Sequence, residues 1–378
     1  MPRNERAPHL LHVFSTFAIG GPQTRFAALA NRLGPKYRHT IFALDGDLAC
    51  VDRLDPAVDA KAMAMRLPKG GTINFANLAR IRRHLAATRP DVLLTYNWGA
   101  IEWVLAERWR PLVPRHIHLE DGFGPDEGPG RQLPRRVMFR RLVLGGGVRV
   151  VVPSQTLFRV ATGTWRLAPR SVLYIPNGID PDRFAAPADG RLIHRLGAAD
   201  GRLTIGSLGG LRPEKNLPRL LRTFAALPPE LPARLVIAGE GPEMPALTTL
   251  ATALGIAERV VMMGSIDRPE RLLGHFDVFA LSSDTEQMPY SILEAMAAGL
   301  PIVATDVGDV AEMVAPENRP FVLAANDEAR FAAGLTQLLT DAEARRRLGI
   351  ANQRRVRTLF TIDKMVATYD ALFADEAD

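Results

Sequence analysis

Apolar and polar positions switch between two periods along this chain. Short apolar runs bounded by Gly, Pro and small polar residues recur at 9–19, 39–44, 91–95, 115–119, 147–153 and 172–176. They recur again at 203–208, 234–238, 259–263, 277–281 and 301–305. Such runs predict buried strands. Between them apolar residues return every three to four positions, as in Phe26, Leu29, Ala30 and Leu33, or Leu217, Leu220, Leu221 and Phe224. That spacing predicts amphipathic helices, with further ones at 74–88, 101–107, 328–339, 342–357 and 361–374. Strands separated by helices imply a parallel sheet covered on both faces, an α/β fold.

In such sheets ligands sit beyond the carboxyl ends of the strands, so the loops there carry the candidate chemistry. The longest informative stretch is SSDTEQMPYSILEAMAAG, residues 282–299. It reads as a strand end, a polar loop, and a helix opened by Pro289 and Ser291 and stopped by Gly299 and Pro301. Free N–H groups and the dipole at a helix start favour phosphate. Glu286 and Glu294 cannot ligate phosphate, but they suit neutral hydroxyls. Phosphate plus polyol describes a nucleotide sugar. On these residues alone, Glu286 as a solvated loop acid and Glu294 as a partner of the helix dipole fit equally well.

Arg212 and Lys215 lie in a second strand-to-helix loop, Gly209-Gly210-Leu211-Arg212-Pro213-Glu214-Lys215-Asn216. Two cations beside a helix start suit a diphosphate, or else are solvated charges. Gly20-Gly21-Pro22 marks a third such turn, where backbone can approach a ligand closely. Glu120-Asp121-Gly122 ends the strand at 115–119, with His116 and His118 sharing one face inside it. Glu120, Asp121 and His118 are candidates for touching sugar or acceptor, and the histidines also read as strand residues bonded within the sheet.

Composition narrows the class. The chain has 378 residues, 47% hydrophobic and 23% charged, enough for two domains. Cys50, the only cysteine, excludes an internal disulfide, fits a reducing compartment and suits a core position. The histidines are scattered and no ligand spacing for a metal is present. The N-terminal apolar run is too short for a signal peptide, and no stretch is long enough to span a bilayer, so a cytoplasmic location is expected. The net charge of +6 is asymmetric. Residues 1–185 hold 27 Lys/Arg against 15 Asp/Glu, and the remainder 20 against 26. That asymmetry argues for two domains with different partners. Residues 131–144 are the densest basic stretch. Its arginines alternate with Val137, Met138, Leu142 and Leu144, which suits an anionic membrane surface or a packed helix with a solvated outer face. Only Phe139 interleaves with the charges, which argues against nucleic acid.

Glu286-x7-Glu294 within SSDTEQMPYSILEAMAAGLPIVATDVG resembles the nucleotide-sugar signature of retaining GT-B glycosyltransferases of the family-4 type, the glycosyl transferases group 1. SLGGLRPEKN matches that family's diphosphate-clamp loop, and IPNGID with Arg183-Phe184 its inter-domain segment. The resemblance covers nearly the whole chain and is sharpest over 172–310. It implies two doubly wound Rossmann-like domains facing a cleft: an acceptor domain at 1–178, a donor domain at 179–358, and a C-terminal helix at 359–378 returning to the first domain. Lys215 and Arg212 would neutralise the diphosphate, with backbone at Pro289, Tyr290, Ser291 and Ile292 beside it. Glu294 would accept from ribose and Glu286 from the sugar ring. Gly20 and Gly21 would lie over the diphosphate, Ser265 and Ile266 near the base, and Glu240 would order its loop.

The implied reaction is sugar transfer to an acceptor hydroxyl with retention, without metal or further cofactor. A lipid-linked or saccharide acceptor in cell-surface polysaccharide or glycolipid assembly is the expected partner, at the inner face of the plasma membrane. A nucleotide-sugar epimerase and a catalytically dead basic membrane adaptor are the competing readings. Two departures from the family stand out: Asp121 where many relatives carry His, and Gly308-Asp309 where relatives show two glycines.

Overall fold

The computed structural model describes residues 6–67, 74–123, 127–128, 130–185, 189–196 and 201–374. The chain forms two compact units, residues 1–176 with 365–378, and residues 177–364.

The first unit is built on seven strands: β1 (His9–Phe14), β2 (Arg38–Ala43), β3 (Ala60–Ala64), β4 (Val92–Tyr96), β5 (Arg115–Leu119), β6 (Arg149–Val152) and β7 (Val172–Tyr174). All neighbours pair in parallel, in the order β3-β2-β1-β4-β5-β6-β7. The order reverses between β1 and β4, so the loops after those strands open at the switch point where doubly wound sheets bind ligands. The second unit repeats the plan with β8 (Leu203–Leu208), β9 (Ala233–Ala238), β10 (Val260–Gly264), β11 (Val278–Leu281), β12 (Ile302–Thr305) and β13 (Val322–Leu323). They are also parallel, ordered β10-β9-β8-β11-β12-β13, with the switch between β8 and β11. Both sheets are covered on two faces, which is why the strands read as near-continuous apolar runs rather than alternating ones.

In the second unit the helix Tyr290–Ala297 is fixed from behind by the helix Ala342–Leu359. Asn352 donates to the Leu300 carbonyl at 2.9 Å and accepts from Ala315 N–H at 2.9 Å, fully buried. Gly349 lies so close to the Gly299 carbonyl that a Cβ there would collide with it. This close approach holds the C-terminal end of the Tyr290 helix against the helix Ala342–Leu359.

The final helix, Ile362–Ala374, packs on the first unit from Met365 onward. Asp370 accepts from Lys36 Nζ at 2.7 Å and from Tyr37 OH at 2.8 Å, and Arg115 donates to the Phe373 carbonyl at 2.6 Å. Tyr37 meets the Phe373 ring edge-on. The arginine caps the last carbonyls of the helix, where the dipole favours a cation.

The basic stretch differs from an outward-facing cationic helix. In Pro134–Leu144, Arg140 is buried, stacked between Trp98, Trp165 and Phe123 and paired with Glu127. Arg136 also binds Glu127, at 3.0 Å. Two of the five arginines therefore stabilise the core, because aromatic faces and a buried carboxylate compensate a guanidinium better than water does there.

Candidate active site

The loops after β8, β9, β10 and β11 are stitched into one frame by close glycine contacts and hydrogen bonds. Gly239 (φ 144°) and Gly241 (φ 159°) let the β9 loop lie against the backbone of Gly209 and Leu211. Leu211 N–H then donates to Glu240 O at 2.9 Å, and Glu240 Oε1 accepts from Ser265 N–H at 3.3 Å. Glu240 thus orders its own loop. Asp284 N–H donates to Glu214 O at 2.8 Å, tying the β11 loop to the β8 loop. Asn216 (φ 41°) caps the helix Leu217–Ala225 through Arg219 N–H and donates to both Asp284 oxygens at 3.0 Å. Arg219, buried, binds Ser282 O and Asp284 Oδ1, each at 2.7 Å.

Within that frame Lys215 Nζ donates to Glu286 Oε1 at 2.5 Å, and Ser283 Oγ donates to the same oxygen at 2.7 Å. Both side chains are partly buried, Lys215 26% and Glu286 10% exposed. A small cleft lined by Gly209, Gly210, Lys215, Ser282 and Ser283 opens beside them. Arg212 is 60% exposed, its guanidinium 3.9 Å from Glu214 and lying over Gly210. Gly308 (φ 57°) sits on the Glu286 and Gln287 carbonyls, and Asp309 N–H donates to Gln287 O at 2.9 Å. The Gly308-Asp309 pair thereby fixes the turn that carries Glu286.

The helix Tyr290–Ala297 starts at Pro289 with no side-chain cap. Tyr290 and Ser291 are half-buried, whereas Ile292 is buried in the core and its N–H donates to Pro289 O at 3.2 Å. Glu294 stands one turn on. Burial pushes its carboxyl up to about 8, against the pull of Arg183, and Glu270 pushes it further. Among the described residues its carboxyl has no hydrogen-bond partner. Ser265 is exposed and Ile266 half-buried beside β10.

In the first unit Asp121 is half-buried, and both its oxygens are bound by Arg25, NH2 to Oδ2 at 3.0 Å and NH1 to Oδ1. Its N–H donates to Asn97 Oδ1 at 2.6 Å, from an asparagine in the left-handed region (φ 56°). Gly20 is the extended cap of the helix Gly21–Leu33, fitted against Gln23, and Gly21 has open space around it. His118 and Glu120 are moved away from acceptor binding. Both are fully buried: His118 Nδ1 bonds Thr95 Oγ1 at 2.9 Å, and its Nε2 lies 3.4 Å from Glu120 Oε2. Glu120 also faces buried Arg140 at 3.6 Å. A carboxylate enclosed with a cation and an imidazole serves the core rather than a ligand.

Sequence reasoning passed over Arg25, Asn97, Ser283 and Arg219. A charged residue on the apolar face of a helix, as Arg25 is beside Phe26 and Leu29, was the available signal. Among the described residues no three His, Cys, Asp or Glu side chains are placed to hold a metal ion.

The description "Glycosyl transferases group 1" matches residues 191–355, and "Glycosyltransferase Family 4" residues 19–183. A GDP-mannose-dependent alpha-(1-6)-phosphatidylinositol monomannoside mannosyltransferase of Mycobacterium tuberculosis is 32% identical over 374 residues, 95% of this chain and 96% of its own. The chain belongs to the group 1 glycosyltransferases. Another of its relatives is a D-inositol 3-phosphate glycosyltransferase of Stackebrandtia nassauensis, 30% identical over 74% of this chain and 68% of its own. The fold of this glycosyltransferase is that of the Anabaena protein HepE solved with UDP and glucose, with a TM-score of 0.82 at 17% identity, covering 97% of this chain and 100% of that one. The two Rossmann-like sheets are thus those of the GT-B architecture.

Proposed function

We propose that this glycosyltransferase moves a hexosyl group from a nucleoside-diphosphate sugar to an acceptor hydroxyl with retention at the anomeric carbon and without a metal. The observation that carries this is the meeting of Lys215 and Glu286 beside a glycine- and serine-lined cleft in one unit. A cation for a phosphate and an acceptor for hydroxyls then stand within one small molecule's length. Lys215 and exposed Arg212 neutralise the diphosphate as it leaves, which is the main catalytic work. Glu286 accepts from the sugar ring. Glu294, whose carboxyl has no hydrogen-bond partner among the described residues, accepts from ribose, and the N-terminus of the helix Tyr290–Ala297 faces phosphate. The acceptor oxygen forms its bond to the anomeric carbon on the face from which the diphosphate departs, and its proton passes to a leaving phosphate oxygen. In the first unit Gly20, Gly21 and Asp121 serve substrate binding, with Arg25 holding Asp121 as a hydrogen-bond acceptor.

The acceptor is a lipid-linked or saccharide hydroxyl in cell-surface glycan assembly, on the cytoplasmic side. The outer face of Pro134–Leu144 supports contact with an anionic membrane. Arg135 and Arg141 are exposed there with Met138 (69%) and Leu142 (55%). Arg108 Nε donates to Leu142 O at 3.2 Å, which brings the loop bearing exposed Trp109 alongside. No acid occurs between residues 128 and 179. Arginines interspersed with Trp, Met and Leu are the composition of an interfacial surface.

The test is product analysis: purified protein with a panel of nucleoside-diphosphate sugars and saccharide or glycolipid acceptors, with chelator, reading the product anomer by NMR. An α-linked product from an α-linked donor is expected. Donor turnover that ignores acceptor would point to an epimerase, and an inverted product would overturn retention.

A further inference from the structure

The donor-site lysine is held by the acid next to it. Lys215 Nζ and Ser283 Oγ converge on one oxygen of Glu286, leaving Oε2 with no partner among the described residues. The backbone at Lys215 and Ser283 is fixed by neighbouring hydroxyls: Ser282 Oγ donates to Lys215 O at 3.0 Å, and Thr305 Oγ1 to Ser283 O at 2.6 Å. The side chains can therefore exchange partners while their backbone stays in place.

We propose that Ser283, Glu286 and Lys215 form a latch that makes the site select a diphosphate still carrying its sugar over the free nucleoside diphosphate. This rests on the assignment of Lys215 to the diphosphate and Glu286 to the sugar. A diphosphate arriving alone competes with Glu286 for Lys215. When the lysine turns to phosphate, Glu286 keeps only the Ser283 hydroxyl, in a place where it is 10% exposed. A partly buried carboxylate without its cation is costly. An intact donor supplies sugar hydroxyls to Glu286 in the same step, so the acid is never left short of donors. After transfer the sugar is gone, Glu286 reclaims Lys215, and the nucleoside diphosphate is released. Ser283 is a positioning residue here: it shares the charge of Glu286 and so loosens its hold on the lysine.

The test is calorimetric titration of the full chain with UDP and GDP, and with UDP-glucose and GDP-mannose, comparing wild type, Glu286→Gln and Ser283→Ala. A neutral amide can still accept from the lysine but without the charge that strengthens the bond. Glu286→Gln should therefore bind the free nucleoside diphosphate about tenfold tighter, the change that goes with one charge-assisted hydrogen bond, while the sugar donor binds no tighter. Ser283→Ala should shift the other way and weaken the free diphosphate a few-fold, because Glu286 then depends more on Lys215. Merely structural roles would weaken both ligands in both variants. Unchanged or weaker diphosphate binding by folded Glu286→Gln overturns the latch. Wild type that binds none of the four nucleotides overturns the latch and the donor-site assignment together.

Discussion

Replacing Glu294 by Gln removes an ionisation that the fold disfavours while keeping the side chain's shape. Burial raises the Glu294 carboxyl from 4.5 to about 8, with Arg183 pulling it down and Glu270 pushing it up. A folded-state value above the unfolded one means that the contribution to stability is full below about pH 4.5 and is lost as pH rises through 8. Each pH unit in that window is worth about 1.4 kcal/mol. Between pH 6 and 8 the wild type should lose about 2 kcal/mol from this group as it begins to ionise, and Glu294→Gln should lose none of it. Thermal melting of both proteins across that range reads the difference. The variant should gain on the wild type by roughly 4–8 °C at pH 8, the scale for a unit of this size. Above pH 8, where Glu294 is ionised, the same substitution should weaken binding of the sugar donor by about 1.5–3 kcal/mol, because ribose hydroxyls lose a carboxylate acceptor. A stabilised protein with a weakened ligand is an unusual combination, and it separates a ligand acid from a structural one. Parallel melting curves from pH 6 to 8 would refute the raised carboxyl. Unaltered donor affinity would remove Glu294 from the ribose.

Other outcomes follow from the same geometry. Gly308→Ala should cost about 1–3 kcal/mol in melting experiments and lower turnover, because φ is 57° and a Cβ would sit 2.6 Å from the Gln287 carbonyl; a variant as stable and active as wild type would contradict that packing. Burial holds His39 down to about 4 and His116 to about 3, and holds His12 well below its usual value. Their stabilisation is present above pH 6.5 and lost as pH falls toward 4, on the order of 3 kcal/mol for His39 alone. The first unit should melt progressively lower over that range, and a flat profile would argue against neutral buried imidazoles. Met138→Asp with Leu142→Asp should abolish co-sedimentation with vesicles containing phosphatidylglycerol and leave sugar transfer to a soluble acceptor intact. Equal binding to purely zwitterionic vesicles, or none by the wild type, would remove the membrane contact.

Much of the architecture was legible because both sheets are parallel and buried on two faces, so every strand prints an apolar run and every crossover a helical period. The pairing of Lys215 with Glu286 was foreshadowed only as membership of one pocket. Their direct contact depends on how the loops after β8 and β11 approach, and that is set by Gly239, Gly241 and Gly308, which lie in other loops of the chain. Arg140 misled in the opposite way. Charge density on a helix reads as an exposed face, whereas the aromatic rings that enclose Arg140 come from residues 98, 123 and 165, which no local window joins. His118 and Glu120 were judged by their place at a strand end. Glu120 is enclosed with that same Arg140, and so was equally hidden.

The most direct test of the donor site is binding of nucleoside-diphosphate sugars to the wild type and to Lys215→Ala, followed by single-turnover transfer. The wild type should bind at least one such donor, and Lys215→Ala should transfer its sugar about 10²–10³-fold more slowly, the scale of removing one transition-state donor. A folded Lys215→Ala protein that turns over at the wild-type rate would contradict the account.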